Sequence, residues 1–162
     1  DGIIFLGGRI NMVRTNKQLA DEMNAVLDKV PIVMINGRMS GVDCFKVRSD
    51  ERAGIFSIIE YLISLGHKDI GLIGGISSIT STSIKHKALK YALKHFGLEY
   101  NKDWVIFSGF SIDDGLNAAK TLFSLSRIPT AVIAINDFVA IGAMKYAYSQ
   151  GIKIPQDISL TG

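Results

Sequence analysis

Apolar runs alternate with amphipathic stretches along the chain. Thr130 to Ile135 is a continuous β-rich apolar run, which predicts a strand buried on both faces. After Asn136-Asp137, apolar residues return at helical spacing until Gly151, and a second apolar run starts at Ile158. Asp137 is expected to cap this helix, because its carboxylate can accept a hydrogen bond from the first turn. A strand, a helix and a parallel strand in such a short stretch form a βαβ unit.

The same alternation occurs upstream. Strands are predicted near residues 2–6, 31–35, 44–47, 70–73, 104–107, 130–135 and 158–161. Helices are predicted from Asn16 to Lys29, from a cap at Ser49 or Asp50 to Leu65, from after Thr82 to Phe96, and around Leu116 to Phe123. Gly66, Gly97 and Gly151 are suited to end three of the helices. Alternating strands and helices predict an α/β fold of doubly wound parallel sheets with helices on both faces.

Ligands of such sheets bind beyond the carboxyl ends of the strands, where helix N-termini offer free N–H groups. This rule selects five loops, which are Gly7–Arg9, Asn36–Arg38, Gly74–Thr82, Ser108–Asp113 and Asn136–Asp137. A ligand site is therefore expected in these loops.

Composition sets broad limits. The 162 residues are 48% hydrophobic and 20% charged, enough to form a good core in one ordinary domain or slightly more. The net charge of +3 is mild, and the basic residues are spread out, which favours solvated helix faces over a nucleic-acid surface. Cys44 is the single cysteine, so it is interpreted as a structural thiol in a reducing compartment. No apolar run is long enough for a membrane span.

The motifs of common enzyme sites are missing. The sequence contains neither a dinucleotide-binding G-x-G-x-x-G after a strand, nor a phosphate-binding loop, nor a nucleophile elbow. His67, His86 and His95 are scattered and lack the spacing of a metal pair. Asp113-Asp114 is explained by a helix start, as cap and dipole partners. We therefore expect no enzyme activity, no cofactor and no metal.

Five residues in the selected loops could bind a ligand. The amide of Asn136 both donates and accepts hydrogen bonds, which suits a polyol, although the residue also fits a turn. Phe110 could stack on a sugar or a planar base, or it could fold back onto the core. Ser81 and Lys85 could donate to a ligand, or they could act as a helix cap and a solvated lysine. Asn36 could bind a ligand or form an Asn-Gly turn.

The stretch PTAVIAIND, the helix after it and GIKIPQDISLTG resemble the effector-binding domain of the LacI/GalR family of transcriptional regulators. The resemblance covers nearly the whole chain. It implies the type I periplasmic-binding-protein-like fold with two lobes, the first of which is incomplete. Residues 1–48 resemble part of the amino-terminal lobe and residues 49–162 most of the carboxyl-terminal lobe, so the chain is expected to be a fragment.

The resemblance also implies roles for single residues. The asparagine at the position of Asn136 often contacts the ligand in this family, and its neighbour Asp137 is included in the expected ligand set. An aromatic residue at the position of Phe110 often stacks on the ligand. Lys85 occupies the position of a family arginine that reaches ligand oxygens, with Ser81 in the same loop. Asn36 replaces a frequent aspartate, which indicates a neutral polyol. The set of five loop residues carries one positive charge, which suits a hydroxyl-rich neutral or weakly acidic ligand.

The expected function follows from the resemblance. It is that of the effector-sensing domain of a repressor, which binds a small sugar-like metabolite between its lobes. Operator DNA would be bound by a helix-turn-helix headpiece outside this chain, and the protein would be a cytoplasmic homodimer without a membrane partner. The alternatives are a solute-binding protein of a sugar transporter, and an enzyme on a flavodoxin-like sheet.

Overall fold

The computed structural model describes residues 1–14 and 16–162, in which strands and helices alternate. The strands are β1 (Ile3–Phe5), β2 (Ile32–Ile35), β3 (Phe45–Val47), β4 (Ile70–Ile73), β5 (Val105–Ile106), β6 (Ala131–Ala134) and β7 (Ser159–Thr161). The helices are α1 (Lys17–Leu27), α2 (Glu51–Ser64), α3 (Thr80–His95), α4 (Ile112–Phe123) and α5 (Asp137–Ser149). The strands form two sheets, ordered β1-β2-β3 and β5-β4-β6-β7, and every pairing in them is parallel. The predicted α/β class is confirmed.

The second sheet is covered on both faces. All residues of its central strands β4 and β6 are buried. Alternate side chains point to opposite faces, so Ile133 packs with α2 and α3 while its neighbour Val132 packs with α4 and α5. An apolar residue is needed at every position of such a strand, which explains the continuous run in the sequence.

The first sheet is covered on one face only. Ile32 and Met34 of β2 pack against Ala20 and Met23 of α1. The strand expected at residues 2–6 is present, but the prediction that it is buried was wrong, since Ile4 is 64% exposed. Ile4 pairs with Val33, which pairs in turn with the exposed Phe45, so these side chains share the uncovered face.

Local signals set several helix ends. Asp50 caps α2 by accepting from Ala53 N at 2.9 Å. The three glycines expected to end helices have left-handed backbones, with φ of 92° at Gly66, 69° at Gly97 and 72° at Gly151. Among the described residues, no helix has both the length and the apolar character that a membrane crossing requires.

Two predicted boundaries were wrong. Trp104 lies in a short 3-10 helix, Lys102–Trp104, rather than in the strand that follows. Helix α4 is capped by Ser111, not by the Asp113-Asp114 pair. Asp114 completes a capping box, because its carboxylate accepts from Ser111 N at 2.9 Å while Ser111 Oγ accepts from Asp114 N at 3.1 Å. The hydrogen bonds from Ser111 lower the pKa of Asp114.

Candidate functional site

Ser81 and Lys85 meet a glutamate at the carboxyl edge of the second sheet. They lie one turn apart near the start of α3, and both reach Glu51, the first residue of α2. Ser81 Oγ donates to Glu51 Oε1 at 2.5 Å, and Lys85 Nζ lies 3.9 Å from the same oxygen. The two charged side chains are only 24% and 16% exposed. The hydroxyl, the ammonium and the carboxylate therefore form one polar cluster.

Lys85 also ties this cluster to the end of β6. Its Nζ donates to the backbone oxygen of Ile135 at 2.9 Å, just before Asn136. An ammonium has three N–H donors, and its 3.9 Å approach to Glu51 is an ion pair rather than a hydrogen bond, so two donors remain for ligand oxygens. Sequence reasoning missed Glu51, because it lies 34 positions from Lys85 and no local pattern marks the pairing.

Asn136 links the start of α5 to the neighbouring loop. Its Oδ1 accepts from Val139 N at 2.9 Å, and its Nδ2 donates to the backbone oxygen of Phe110 at 3.1 Å. The prediction that Asp137 caps α5 was wrong, because Asn136 occupies the N-cap and Asp137 is the first helical residue. Asp137 is exposed, and because it is the first residue of α5, its carboxylate lies at the positive end of the helix dipole.

Phe110 packs partly against the core. Its half-buried side chain contacts the cluster that α4 and α5 form on the second sheet. Its loop is held to the loop after β4, since Ser108 N donates to Gly75 O at 3.1 Å. The side chain is therefore partly packed and partly accessible, and stacking on a ligand stays a prediction.

Asn36 stabilises a turn at the end of β2. Its backbone is left-handed, with φ of 55°, as suits an asparagine before Gly37. Its Oδ1 accepts from Ser49 N at 2.8 Å and from Ser49 Oγ at 3.1 Å. The turn thus ties the end of β2 to the segment leading into α2. The loop expected at Gly7–Arg9 enters a 3-10 helix over Gly8–Asn11, and the side chain of Arg9 lies outside the described residues.

A cleft of about 360 Å³ separates the carboxyl edge of the first sheet from α3. We call it the inter-sheet cleft. Its first wall consists of Met12, Val13, Asn36, Gly37, Arg38, Ser40 and Arg48, and its second wall of Thr80, Ser83, Ile84 and Lys87. The two walls are joined where Met12 bridges Ile79 and Val13 N donates to Ser78 O at 2.9 Å.

The structure thus divides the predicted site residues into two groups. The polar cluster, with Asn136 and Phe110, surrounds the end of β6, while Asn36 lines the inter-sheet cleft. The cleft residues of α3 recur at positions 80, 83, 84 and 87, which form a helix face next to that of Ser81 and Lys85. The inter-sheet cleft and the polar cluster at the end of β6 are therefore the two candidate ligand sites of the described residues.

Comparison with known proteins identifies the family. The sequence model described as "Periplasmic binding protein-like domain" matches residues 59–162. The chain therefore belongs to this family, and its resemblance to the effector-binding domains of LacI-type regulators is confirmed.

Individual proteins similar to this chain are regulators of the same type. The transcriptional repressor PurR of Pasteurella multocida is 29% identical over 87% of this chain and 42% of its own length. A LacI family regulator from Mycobacterium smegmatis superposes with a TM-score of 0.81 and 29% identity, over 99% of this chain and 56% of that one. A complex of the regulator CelR with cellobiose gives a TM-score of 0.81 at 26% identity, over 100% of this chain and 48% of that one. The chain thus spans about half the length of the relatives it matches.

Proposed function

We propose that this chain is the effector-sensing part of a LacI/GalR-type repressor, in which residues 1–48 and 49–162 belong to two lobes. The observation that carries the proposal is the inter-sheet cleft between the two parallel sheets, in a chain whose relatives include a named repressor. The repressor would be cytoplasmic, and a helix-turn-helix headpiece outside this chain would bind the operator. The named relatives favour this function over that of a transporter's binding protein.

The effector in this proposal is a small sugar-like metabolite. Lys85 would donate a remaining N–H to a ligand oxygen, and Ser81 would contribute its hydroxyl. Phe110 would offer the accessible part of its side chain for stacking. The CelR relative bound to cellobiose supports a hydroxyl-rich ligand. Asn136 and Asn36 would act mainly by holding their loops in place, since the side-chain oxygen of each already accepts a hydrogen bond within the protein.

Effector binding would act by shifting the equilibrium between lobe arrangements. Coupling between an effector site and a DNA-binding site requires about 1–3 kcal/mol of differential binding. The inter-sheet cleft has one wall at the first sheet and the other on α3, which packs on the second sheet, so a ligand that contacts both walls would favour the closed arrangement. A gel-shift assay of the intact protein, with and without the effector, measures this coupling.

Replacing Lys85 tests the effector site. We expect Lys85→Met to weaken sugar binding roughly tenfold to hundredfold, because a hydrogen bond from a charged donor contributes about 1.5–3 kcal/mol. The measurement is isothermal titration with a panel of neutral mono- and disaccharides that includes cellobiose. Lys94→Met, an equivalent change at an exposed position of α3, serves as the control. Equal affinities of the Lys85 variant and wild type would refute the assignment.

An apolar stripe on α5 is the proposed homodimer surface. Phe138, Ile141, Met144 and Tyr148 are exposed, while the opposite helix face is buried. We expect Ile141→Asp to weaken self-association at least tenfold in sedimentation experiments, since a buried carboxylate would replace an apolar contact. Tyr61→Glu, at an exposed position of α2, is the control. If instead Phe45→Ser on the uncovered sheet face dissociates the oligomer, the stripe is not the interface.

A further inference from the structure

The inter-sheet cleft carries an unbalanced positive charge. Among the described residues that line it, the ionisable ones are Arg38, Arg48 and Lys87, with no aspartate or glutamate. The salt bridges found among the described residues involve other cations, Lys85 and Arg127. The two arginines come from the ends of β2 and β3, and the lysine comes from α3. Three cations from two separate walls therefore face one cavity without an internal counter-charge.

Several neutral polar side chains of the cleft also offer hydrogen-bond donors. The side chain of Asn36 uses its oxygen toward Ser49, which leaves its amide N–H groups for the cleft. Thr80 and Ser83 add hydroxyls from α3. Of the five α-helices in the described residues, α3 is the one whose N-terminus lacks a side-chain cap, so the positive end of its dipole lies at the cleft without a capping oxygen. Each of these features favours a negatively charged ligand.

We infer that the inter-sheet cleft binds the phosphate group of a small phosphorylated metabolite through Arg38, Arg48 and Lys87. A phosphate monoester carries a charge of about −1.5 to −2 at neutral pH and so balances three cations better than a single carboxylate does. Arginine forks bind phosphate oxygens in pairs, and lysine adds a point charge. The volume of about 360 Å³ is in the range of small-molecule sites.

This inference rests on the proposed effector role and makes its ligand class more specific. The polar cluster of Ser81, Lys85 and Glu51 lies on the neighbouring face of α3, where its charges are largely paired within the protein. A sugar phosphate could therefore place its hydroxyls toward Lys85 and its phosphate toward Arg38, Arg48 and Lys87. Affinity would then depend on both faces of one helix.

The test is a titration of the isotope-labelled chain with ribose 5-phosphate, ribose and ribonate, followed by amide chemical shifts. We expect ribose 5-phosphate to shift the amides of Asn36, Gly37 and Ser83. Arg38→Gln, Arg48→Gln and Lys87→Gln should each weaken its binding at least about tenfold, since each removes a charged hydrogen bond. Lys94→Gln makes the same charge change outside the cleft and should alter the affinity less than about twofold. Circular dichroism verifies that each variant is folded.

The outcomes separate this inference from the proposed function. Absence of ribose 5-phosphate binding at millimolar concentration, or equal binding by the cleft variants and wild type, would overturn the phosphate site. Ribonate binding as tight as that of ribose 5-phosphate would also overturn it, in favour of a carboxylate. Sugar binding that depends on Lys85 but not on Arg38 would keep the proposed function and reject the inference. Absence of binding by every sugar and sugar phosphate would reject both.

Discussion

Replacing Gly142 by alanine is expected to destabilise the protein by about 3 kcal/mol, although alanine is the better helix former. Helices α4 and α5 cross with their backbones in contact. A Cβ atom at Gly142 would overlap the carbonyl oxygen of Ile112 and lie 2.7 Å from Leu116 N. The reciprocal position Gly115 would overlap the backbone of Val139. Because backbone atoms cannot rotate away as a side chain can, the helices must separate to accept one methyl group.

The matched control for this prediction is Gly54→Ala. Gly54 lies in α2, and a Cβ atom there meets no atom within 4 Å. This substitution should stabilise the protein by about 0.5–1 kcal/mol through helix propensity alone. Urea unfolding of both variants measures the difference, which should have opposite signs at the two positions. A Gly142→Ala variant as stable as Gly54→Ala would show that the helices tolerate wider spacing.

The fold could be predicted because its main signals are local. The buried run of β6 requires an apolar residue at each position, and the sequence shows that run directly. Left-handed glycines such as Gly66 and Gly97 follow their helices as expected. The close approach at Gly142 could not be predicted in this way, because Gly142 and Gly54 are both helical glycines in the sequence. Only the crossing of two helices makes them different.

The site was less predictable, because its contacts also join elements that are distant in sequence. Asn136 and Asp137 are both good caps, and which one caps depends on where the helix begins. Asn136 is the N-cap of α5, and its side-chain Nδ2 also donates to the backbone oxygen of Phe110 across the sheet edge, a contact that the sequence does not show. Lys85 was identified as a possible ligand group, but its pairing with Glu51 joins two helices that are distant in sequence. Spread-out basic residues were interpreted as solvated, yet Arg38, Arg48 and Lys87 line one cleft.

These contacts bear on how the proposed sensor would respond. The polar cluster and Asn136 connect α2, α3, β6 and α5 within the second sheet's layers. The inter-sheet contacts in the described residues are fewer, with the Met12–Ile79 bridge and the Val13 hydrogen bond at one side of the cleft. A ligand would thus meet a well-connected wall on α3 and a less connected wall on the first sheet.

The other large effect is expected at Trp104, where packing should contribute more than charge. Its side chain is buried to 1% exposure in the core under α4 and α5. The indole Nε1 donates to the backbone oxygen of Arg127 at 3.0 Å, and the Arg127 guanidinium lies 5.1 Å from the ring centroid. We expect Trp104→Ala to lower the free energy of unfolding by about 3–5 kcal/mol, since it leaves a large cavity.

Two further variants divide this effect between its causes. Trp104→Phe keeps most of the ring and loses the N–H donor, so it should cost about 1–2 kcal/mol. Arg127→Ala removes the bond to Asp69 at 3.0 Å, but the arginine side chain is 61% exposed, and such pairs contribute at most about 1 kcal/mol. Urea unfolding should therefore rank the losses as Trp104→Ala, then Trp104→Phe, then Arg127→Ala. If Arg127→Ala costs as much as Trp104→Ala, the exposed ion pair contributes as much as the buried ring, and the expected ranking is wrong.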